Sequence, residues 1–173
     1  MTSITVNEDK VTNYGKGYTS KKPIHLSLDQ SVAVQKLHPD AVVPSYAKPG
    51  DAGFDLYAVE DVNVLAGHVE IVPTGLAFAV PEGFEMQIRM RSGASLKTPL
   101  IVANSPGTVD SGYRGEVGII VRNTHSNLPY TVKKGERVAQ GVIAPVVTAI
   151  FNVVDELPFS ERGSGGFGST GSD

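Results

Sequence analysis

The chain has 173 residues, no cysteine and a net charge of −3, which together exclude a disulfide framework, a thiolate metal site and a thiol nucleophile, and argue against direct binding to nucleic acid. Its 19 glycines and 11 prolines disfavour a helical bundle. No apolar stretch approaches the roughly 18 residues of a membrane span and no signal peptide is visible, so we expect a cytoplasmic protein that binds no membrane.

Residues 1–30 form a polar extension in which only residues 24–28 alternate like a short strand. Chain ends of this composition are usually loosely packed. We therefore predict a flexible extension whose partner is unknown. The alternative is a strand or arm that packs on a neighbouring subunit.

Residues 31–160 carry a succession of short strand-like runs and are predicted to form one β domain. The clearest run is Phe84–Met90, where apolar and polar side chains alternate as in a half-buried strand. Residues 73–75 are typical of a turn, and residues 94–97 allow one helical turn. The other runs are 32–36, 54–58, 69–72, 76–80, 100–103, 117–121 and 142–147. This spacing predicts an all-β sandwich, barrel or jelly roll.

The sequence ends in the glycine- and serine-rich segment 161–173, ERGSGGFGSTGSD. Such a segment cannot bury enough apolar area to offset its chain entropy, so we expect it to be mobile on its own. It is either a disordered tail or a lid that becomes ordered on a ligand. In the second case Arg162 and Phe167 are the contact residues.

Two segments combine glycine with polar side chains on either side of Phe84–Met90. In GDAGFDL, residues 50–56, Asp51 and Asp55 suit a cation or water site beside a strand, although a turn leading into a strand is the preferred explanation of this segment on its own. In RSGAS, residues 91–95, a guanidinium, a hydroxyl and accessible backbone N–H groups come together. That combination is typical of anion binding, because glycine permits close approach of the backbone.

Two further segments lie in the second half of the chain. NSPGTVDSGYRGEV, residues 104–117, is predicted to be a hairpin carrying Asp110, Tyr113 and Arg114. A carboxylate that activates water needs such a rigid platform. GERVAQGV, residues 135–142, is predicted to be a turn and a strand, in which alternation puts Gln140 on the same side as Val138.

These four segments, in this order and followed by RGSGGFGSTG, resemble the five motifs of the trimeric dUTP pyrophosphatase (dUTPase) family, over residues 32–171. The resemblance implies an antiparallel β jelly roll with a C-terminal arm, and a homotrimer with shared active sites. It also implies Mg²⁺-dependent hydrolysis of dUTP to dUMP and pyrophosphate by attack of water on the α-phosphorus. That reaction limits uracil incorporation into DNA and supplies dUMP for dTMP synthesis.

The resemblance implies three catalytic residues. Asp110 matches the carboxylate that orients and deprotonates the attacking water. Asp55 matches the residue that holds Mg²⁺ through water, and Ser92 the one that contacts the phosphate bridge beside the scissile bond. The substrate-binding residues that it implies are Arg91, Ser92, Gly93, Asn104, Gly107, Thr108, Val109, Asp110, Tyr113, Gln140, Arg162, Phe167, Gly168, Ser169 and Thr170.

The implied contacts involve the base, the sugar and the phosphate chain of the nucleotide. The hairpin backbone and Asn104 would receive uracil, and Phe167 would stack on it. Tyr113 would pack on the deoxyribose and leave no space for a 2′-hydroxyl. Gln140 would contact the α-phosphate and Arg162 the γ-phosphate.

Some positions depart from the family pattern. Met90 stands where proline usually precedes Arg-Ser-Gly, Ser95 replaces an apolar residue, and Gly141 follows Gln140 where leucine or isoleucine is common. Two alternatives stay open at this point. One is a relative similar to dCTP deaminase, for which Glu116 would be the nearby catalytic candidate, and the other is a regulatory nucleotide-binding protein of the same fold.

Overall fold

The computed structural model describes residues 31–166, in which every strand pairing is antiparallel. The all-β antiparallel fold predicted from the sequence is confirmed. The elements in chain order are β1 (Ala33–Lys36), β2 (Phe54–Tyr57), β3 (Val62–Val64), β4 (Val69–Ala79), β5 (Phe84–Met90), α1 (Ser92–Lys97), β6 (Leu100–Val102), β7 (Gly107–Val109), β8 (Glu116–Asn123), β9 (Tyr130–Val132) and β10 (Arg137–Pro145). The extension 1–30, with its predicted strand at 24–28, lies outside the described residues.

The strands form two four-stranded sheets and a two-stranded ribbon. One sheet has the order β1-β4-β8-β6 and the other the order β2-β10-β5-β7, while β3 pairs with β9. Strands that are distant in sequence are therefore neighbours in the sheets. This topology brings the predicted motifs together, since β2, β10 and β5 lie side by side.

A single apolar core joins the two sheets. Leu56 of β2, Met86 of β5 and Ile119 of β8 are completely buried. Phe54 of β2 stacks on Phe78 of β4 with 6.2 Å between the ring centroids. Each fully buried side chain of this size contributes roughly 1.5–3 kcal/mol, so these contacts fix the sheets against each other.

The predicted turn at residues 73–75 is wrong, because β4 continues through it. Between the pairs Pro73–Gly118 and Ala77–Glu116, β4 advances four residues while β8 advances two. The excess is a bulge at residues 74–76, which we call the β4 bulge. Gly75 has a φ of +66° there, which is why the sequence has the composition of a turn.

Three short strands were not predicted: β3, β7 and β9, each of three residues. Too few residues are present in each for an alternating pattern to show. The predicted helical turn is confirmed as part of α1, which has six residues. Within residues 31–166, no helix is long and apolar enough to cross a membrane.

After β10, residues 146–160 form neither a helix nor a strand, and we call them the arm. It carries large apolar side chains that are almost fully exposed, including Phe151 at 91%, Val153 at 102% and Phe159 at 93%. Side chains of this kind are normally covered. Beyond the hydrogen bond from the Val146 N–H to the Gly83 carbonyl, these side chains therefore do not pack on the sheets of their own chain.

Candidate functional site

Two pockets collect most of the residues predicted for the site. The hairpin pocket lies where residues 104–117 connect β6, β7 and β8, and it is lined by Ile88, Asn104, Gly107, Thr108, Val109, Asp110, Tyr113, Glu116, Val117, Gly118 and Ile120. The arginine pocket lies beside β2, β10 and the end of β5, and it is lined by Ser45, Ala47, Asp51, Ala52, Gly53, Asp55, Arg91, Ser92, Gly93, Arg137 and Gln140. Among the described residues, none lines both pockets.

Asp55 is the centre of the ion pairs in the arginine pocket. Its Oδ1 lies 2.6 Å from Nε of Arg91 and its Oδ2 lies 3.2 Å from Nη1 of Arg137. Nη1 of Arg91 also donates to the backbone carbonyl of Arg137 at 3.1 Å. Asp51 also lines the pocket, so its two arginines and two aspartates balance in charge. The guanidinium groups nevertheless place planar N–H donors here, and such donors suit the oxygens of a phosphate chain.

Gln140 is placed by its strand neighbours. It pairs with Asp55 on β2 and with Arg89 on β5, and its Nε2 donates to the backbone carbonyl of Met90 at 3.1 Å. A Cβ at position 53 would lie 2.5 Å from Oε1 of Gln140. Gly53 therefore gives the amide the space to lie over β2.

The prediction that Gln140 faces the same way as Val138 is wrong. The β2–β10 register shifts between Arg137 and Ala139, and this bulge interrupts the alternation. Val138 is buried in the core, while Gln140 and Arg137 line the arginine pocket. Arg137 was not predicted, although its charge within a proposed phosphate-binding segment was an available signal.

Arg91, Ser92 and Gly93 occupy the corner where β5 leads into α1. The backbone of Arg91 is extended, with φ −76° and ψ 139°, and α1 begins at Ser92. The Arg91 carbonyl accepts the N–H of Ser95 at 2.9 Å. Methionine in place of proline at position 90 removes no hydrogen bond from this corner. Gln140 donates to the backbone carbonyl of residue 90, which any residue type would supply.

Gly141 does not weaken β10, despite the missing side chain. A Cβ there would lie 2.5 Å from Cε2 of Phe54. The Phe54 ring thus fills the space that leucine or isoleucine would occupy, and it also meets Tyr46 edge-on at 5.7 Å.

Asp110 follows β7 directly and is exposed at the hairpin pocket. The predicted hairpin is confirmed in that β6 and β8 pair with each other. Its middle part, β7, instead pairs with β5 in the other sheet, with Thr108 opposite Gln87. Asp110 is therefore held between the two sheets, on a platform more rigid than a free loop.

Tyr113 presents its ring at the mouth of the hairpin pocket. Its hydroxyl donates to the backbone carbonyl of Glu116 at 2.9 Å, and its N–H donates to the carbonyl of Asp110 at 3.0 Å. The ring lies against Gly115, where any Cβ would collide with the phenol. Asn104 lies across the pocket, with its Nδ2 3.1 Å from the point where a Cβ of Gly107 would stand.

Glu116 and Arg114 both make contacts within the chain. Oε1 of Glu116 accepts the N–H of Gly75 at 2.7 Å, so this carboxylate is tied to β4. Nη1 of Arg114 donates to the carbonyls of Ser111 at 2.6 Å and Tyr113 at 2.8 Å. Arg114 thus closes its own turn.

Of the predicted contacts in the C-terminal segment, Arg162 lies within the described residues and is not part of either pocket. Nε of Arg162 donates to the carbonyl of Gly165 at 2.9 Å in a local turn. The other predicted residues of this segment lie outside the described residues: Phe167, Gly168, Ser169 and Thr170.

Three pKa shifts mark surface and ribbon contacts away from the pockets. The Lys134 ammonium lowers the pKa of Asp40, which it contacts at 2.6 Å, and the Lys133 ammonium lowers the pKa of Asp61 at 2.8 Å. Burial, together with the hydrogen bond to Glu136, raises the pKa of Tyr130 to about 12. These groups stabilise loops around the β3–β9 ribbon.

The chain matches the family model described as dUTPase over residues 40–171. The deoxyuridine 5′-triphosphate nucleotidohydrolase of Nautilia profundicola is 50% identical over 138 residues, which cover 80% of this chain and 96% of that protein.

Two solved structures extend the likeness to the fold. A mutant of the Staphylococcus bacteriophage 80alpha dUTPase with dUpNHpp superposes with a TM-score of 0.77 at 31% identity, covering 83% of this chain and 100% of that one. A mutant of the dUTPase from phage phi11 of S. aureus, described for its coordination of a structural Mg(II) ion, has a TM-score of 0.69 at 26% identity and covers 75% and 100%. With its motifs, its two pockets and these likenesses, the chain belongs to the dUTPase family.

Proposed function

We propose that this protein hydrolyses dUTP to dUMP and pyrophosphate by attack of water on the α-phosphorus. The observation that carries this proposal is that the two pockets have chemically different linings. One is a concave site with a carboxylate and an aromatic ring, and the other holds two arginines, a hydroxyl and an amide. A nucleoside and a phosphate chain need these two environments, and the similarity to a nucleotidohydrolase names the substrate.

The hairpin pocket would select the base and the sugar. Backbone groups of residues 107–109 and the Asn104 amide would pair with uracil, and cytosine would then leave buried groups unpaired. A site of this kind rejects the wrong analogue by roughly 10⁴-fold or more. The Tyr113 ring, fixed against Gly115, would pack on the deoxyribose.

Asp110 would orient the attacking water and accept its proton. Its position at the end of β7, in a strand paired to β5, keeps the carboxylate in one place. Positioning of this kind, together with electrostatic stabilisation, supplies most of the rate acceleration in phosphoryl transfer.

The arginine pocket would bind the phosphate chain. Ser92 would contact the bridge oxygen on which negative charge grows as pyrophosphate leaves. Gln140 would contact the α-phosphate. Arg91 and Arg137, which both contact Asp55, would offset the negative charge of the phosphate chain.

The residues of the arginine pocket fit a magnesium ion that is held mainly by the triphosphate. Mg²⁺ prefers oxygen ligands and keeps several waters. Within residues 31–166, no group of three or more His, Asp or Glu side chains forms a metal cage, but Asp55 and Asp51 both line this pocket. Asp55 would hold the ion through water, and the bound ion would neutralise phosphate charge.

The active form would be a homotrimer in which each site is shared. In one chain the base pocket and the phosphate pocket share no lining residue, which supports a site that combines one pocket from each of two copies. The arm exposes Phe151, Leu157 and Phe159, and a neighbouring subunit would cover them. The segment after Glu161 would close over the nucleotide, with Arg162 on the γ-phosphate and Phe167 on the uracil.

A nucleotide panel tests this function. Pyrophosphate release is measured from dUTP, dTTP, dCTP and UTP, with Mg²⁺ and with a chelator. We expect turnover of dUTP that depends on Mg²⁺ and exceeds that of dCTP by roughly 10⁴-fold. Asp110→Asn should lower turnover by about 10²-fold or more, since it removes the general base. Asp40→Asn is the matched control, because it changes an exposed aspartate outside both pockets and should leave turnover intact.

Ammonia release from dCTP, or equal turnover of Asp110→Asn and the unaltered protein, would contradict the proposal.

A further inference from the structure

Glu116 connects the segment that carries Tyr113 to the β4 bulge. Its backbone carbonyl accepts the Tyr113 hydroxyl at 2.9 Å, and its Oε1 accepts the Gly75 N–H at 2.7 Å. The two bonds lie on one residue at the first position of β8. A displacement of Glu116 would therefore move the Tyr113 ring.

The β4 end of this connection is fixed by packing. Gly75 is buried with φ +66°, and a Cβ there would lie 2.7 Å from Cβ of His38. The Gly75 carbonyl accepts the N–H of Leu37 at 2.8 Å. Oγ1 of Thr74 donates to the carbonyl of Val117 at 2.6 Å. The bulge is thus a rigid anchor, and both residues at the start of β8 are tied to it.

We propose that Glu116 is a positioning residue that, through Tyr113, sets the discrimination between deoxyribose and ribose. This inference rests on the proposed function, in which Tyr113 packs on the sugar. The Gly75 N–H is buried and needs an acceptor. While Oε1 of Glu116 supplies it, the carbonyl of Glu116 stays where the Tyr113 hydroxyl can reach it. The ring then keeps the space at the 2′ carbon closed.

Glu116 acts through a hydrogen-bond acceptor at the right distance from the Gly75 N–H, and not through its negative charge. Gln at position 116 retains the acceptor oxygen. Ala removes it, and Asp draws it back by one methylene. The three substitutions therefore separate the acceptor, its reach and the charge.

The experiment measures kcat and KM for dUTP and for UTP in the full chain and in Glu116→Ala, Glu116→Gln and Glu116→Asp. We expect Glu116→Ala to lower the ratio of kcat/KM for dUTP over UTP by about tenfold, which corresponds to about 1.4 kcal/mol. Glu116→Asp should move the ratio in the same direction. Glu116→Gln should stay within about threefold of the unaltered protein. Glu82→Ala, at an exposed glutamate between β4 and β5, is the matched control and should leave the ratio unchanged.

Thermal unfolding of each variant separates this role from a merely structural one. A lower midpoint with an unchanged ratio in Glu116→Ala and Glu116→Asp would overturn the inference, and so would a Glu116→Gln ratio as low as that of Glu116→Ala. If Glu116→Ala does not fold, Glu116→Asp decides. If the unaltered protein prefers dUTP to UTP and these variants keep that preference, only the role of Glu116 is refuted. A wild-type chain that does not hydrolyse dUTP refutes the proposed function and this inference with it.

Discussion

Asp55 binds two guanidinium groups with one carboxylate, and its side chain is 25% exposed. Partly buried pairs of this geometry are stronger than surface pairs, because solvent screens them less. The arrangement holds Arg91 and Arg137 close together although their charges repel. Asp55 thereby holds two sets of guanidinium N–H donors where the phosphate chain would lie.

Tyr130 provides a pH-dependent contribution to stability. Its pKa is raised to about 12 from an ordinary 10.0 by burial and by the hydrogen bond to Glu136. Below pH 10 the phenol is protonated in the folded and the unfolded chain, so its stabilising contribution is complete. Between pH 10 and 12 the unfolded chain loses its proton first, and the contribution declines as the pH rises.

Urea unfolding between pH 8 and 11.5 checks this expectation. The free-energy difference between the unaltered protein and Tyr130→Phe should be constant below about pH 10 and shrink above it. Tyr46→Phe, at an exposed tyrosine, is the control. A difference that grows with pH would contradict the raised pKa.

Among the elements, the longer regular strands were predictable from sequence, while the three-residue strands β3, β7 and β9 and the bulges were not. Phe84–Met90 alternates over seven residues and forms β5 within those bounds. The β4 bulge depends on two hydrogen bonds between β4 and β8, each joining residues more than forty positions apart in the sequence. Thr74 donates to the Val117 carbonyl, and Glu116 accepts the N–H of Gly75. A local pattern cannot contain such a contact, so Gly75 was interpreted as part of a turn.

The same limit applies to the candidate site. The segment of each predicted residue was identifiable, because glycine next to polar side chains is unusual within strands. The association of Asp55, Arg91 and Gln140 in one pocket follows from β2, β10 and β5 being neighbours, which no single segment reveals. Arg137 was missed because its exposure depends on the β10 bulge.

The C-terminal segment is expected to act as a separable element. Deleting residues 162–173 should lower kcat/KM for dUTP by about tenfold or more, since arginine–phosphate and stacking contacts each contribute roughly 1–3 kcal/mol. The thermal midpoint should stay unchanged, because within residues 31–166 the hydrogen bond of the Arg162 side chain is made to its own turn. A chain that ends at Gly171 is the control and should keep full activity. Unchanged kcat/KM in the longer deletion would refute the role as a lid.

For the whole molecule, the separation of the two pockets leads to a complementation test. Asp110→Asn damages the hairpin pocket and the double variant Ser92→Ala, Gln140→Ala damages the arginine pocket. If each site takes one pocket from each of two chains, random assortment in co-expressed assemblies leaves about one quarter of the sites intact.

Each variant expressed alone should be nearly inactive. Mixed trimers isolated with two affinity tags should recover about one third of the unaltered activity, because a ring of three that holds both variants has one intact site. Activity of the mixture equal to the mean of the separate variants would show that one chain supplies both pockets. Size-exclusion chromatography with light scattering gives the oligomeric state of each preparation.

The β4 bulge also determines which insertions and deletions the chain tolerates. It adds an even number of residues relative to β8, so Val72 before it and Phe78 after it both point into the core. Loss of one residue from positions 74–76 would reverse the preceding part of β4, turning Val72 to water and Ile71 inward. Loss of two would preserve both faces and remove only the bulge. The core therefore constrains whether an even or an odd number of residues is lost from β4, more than it constrains the length of the strand.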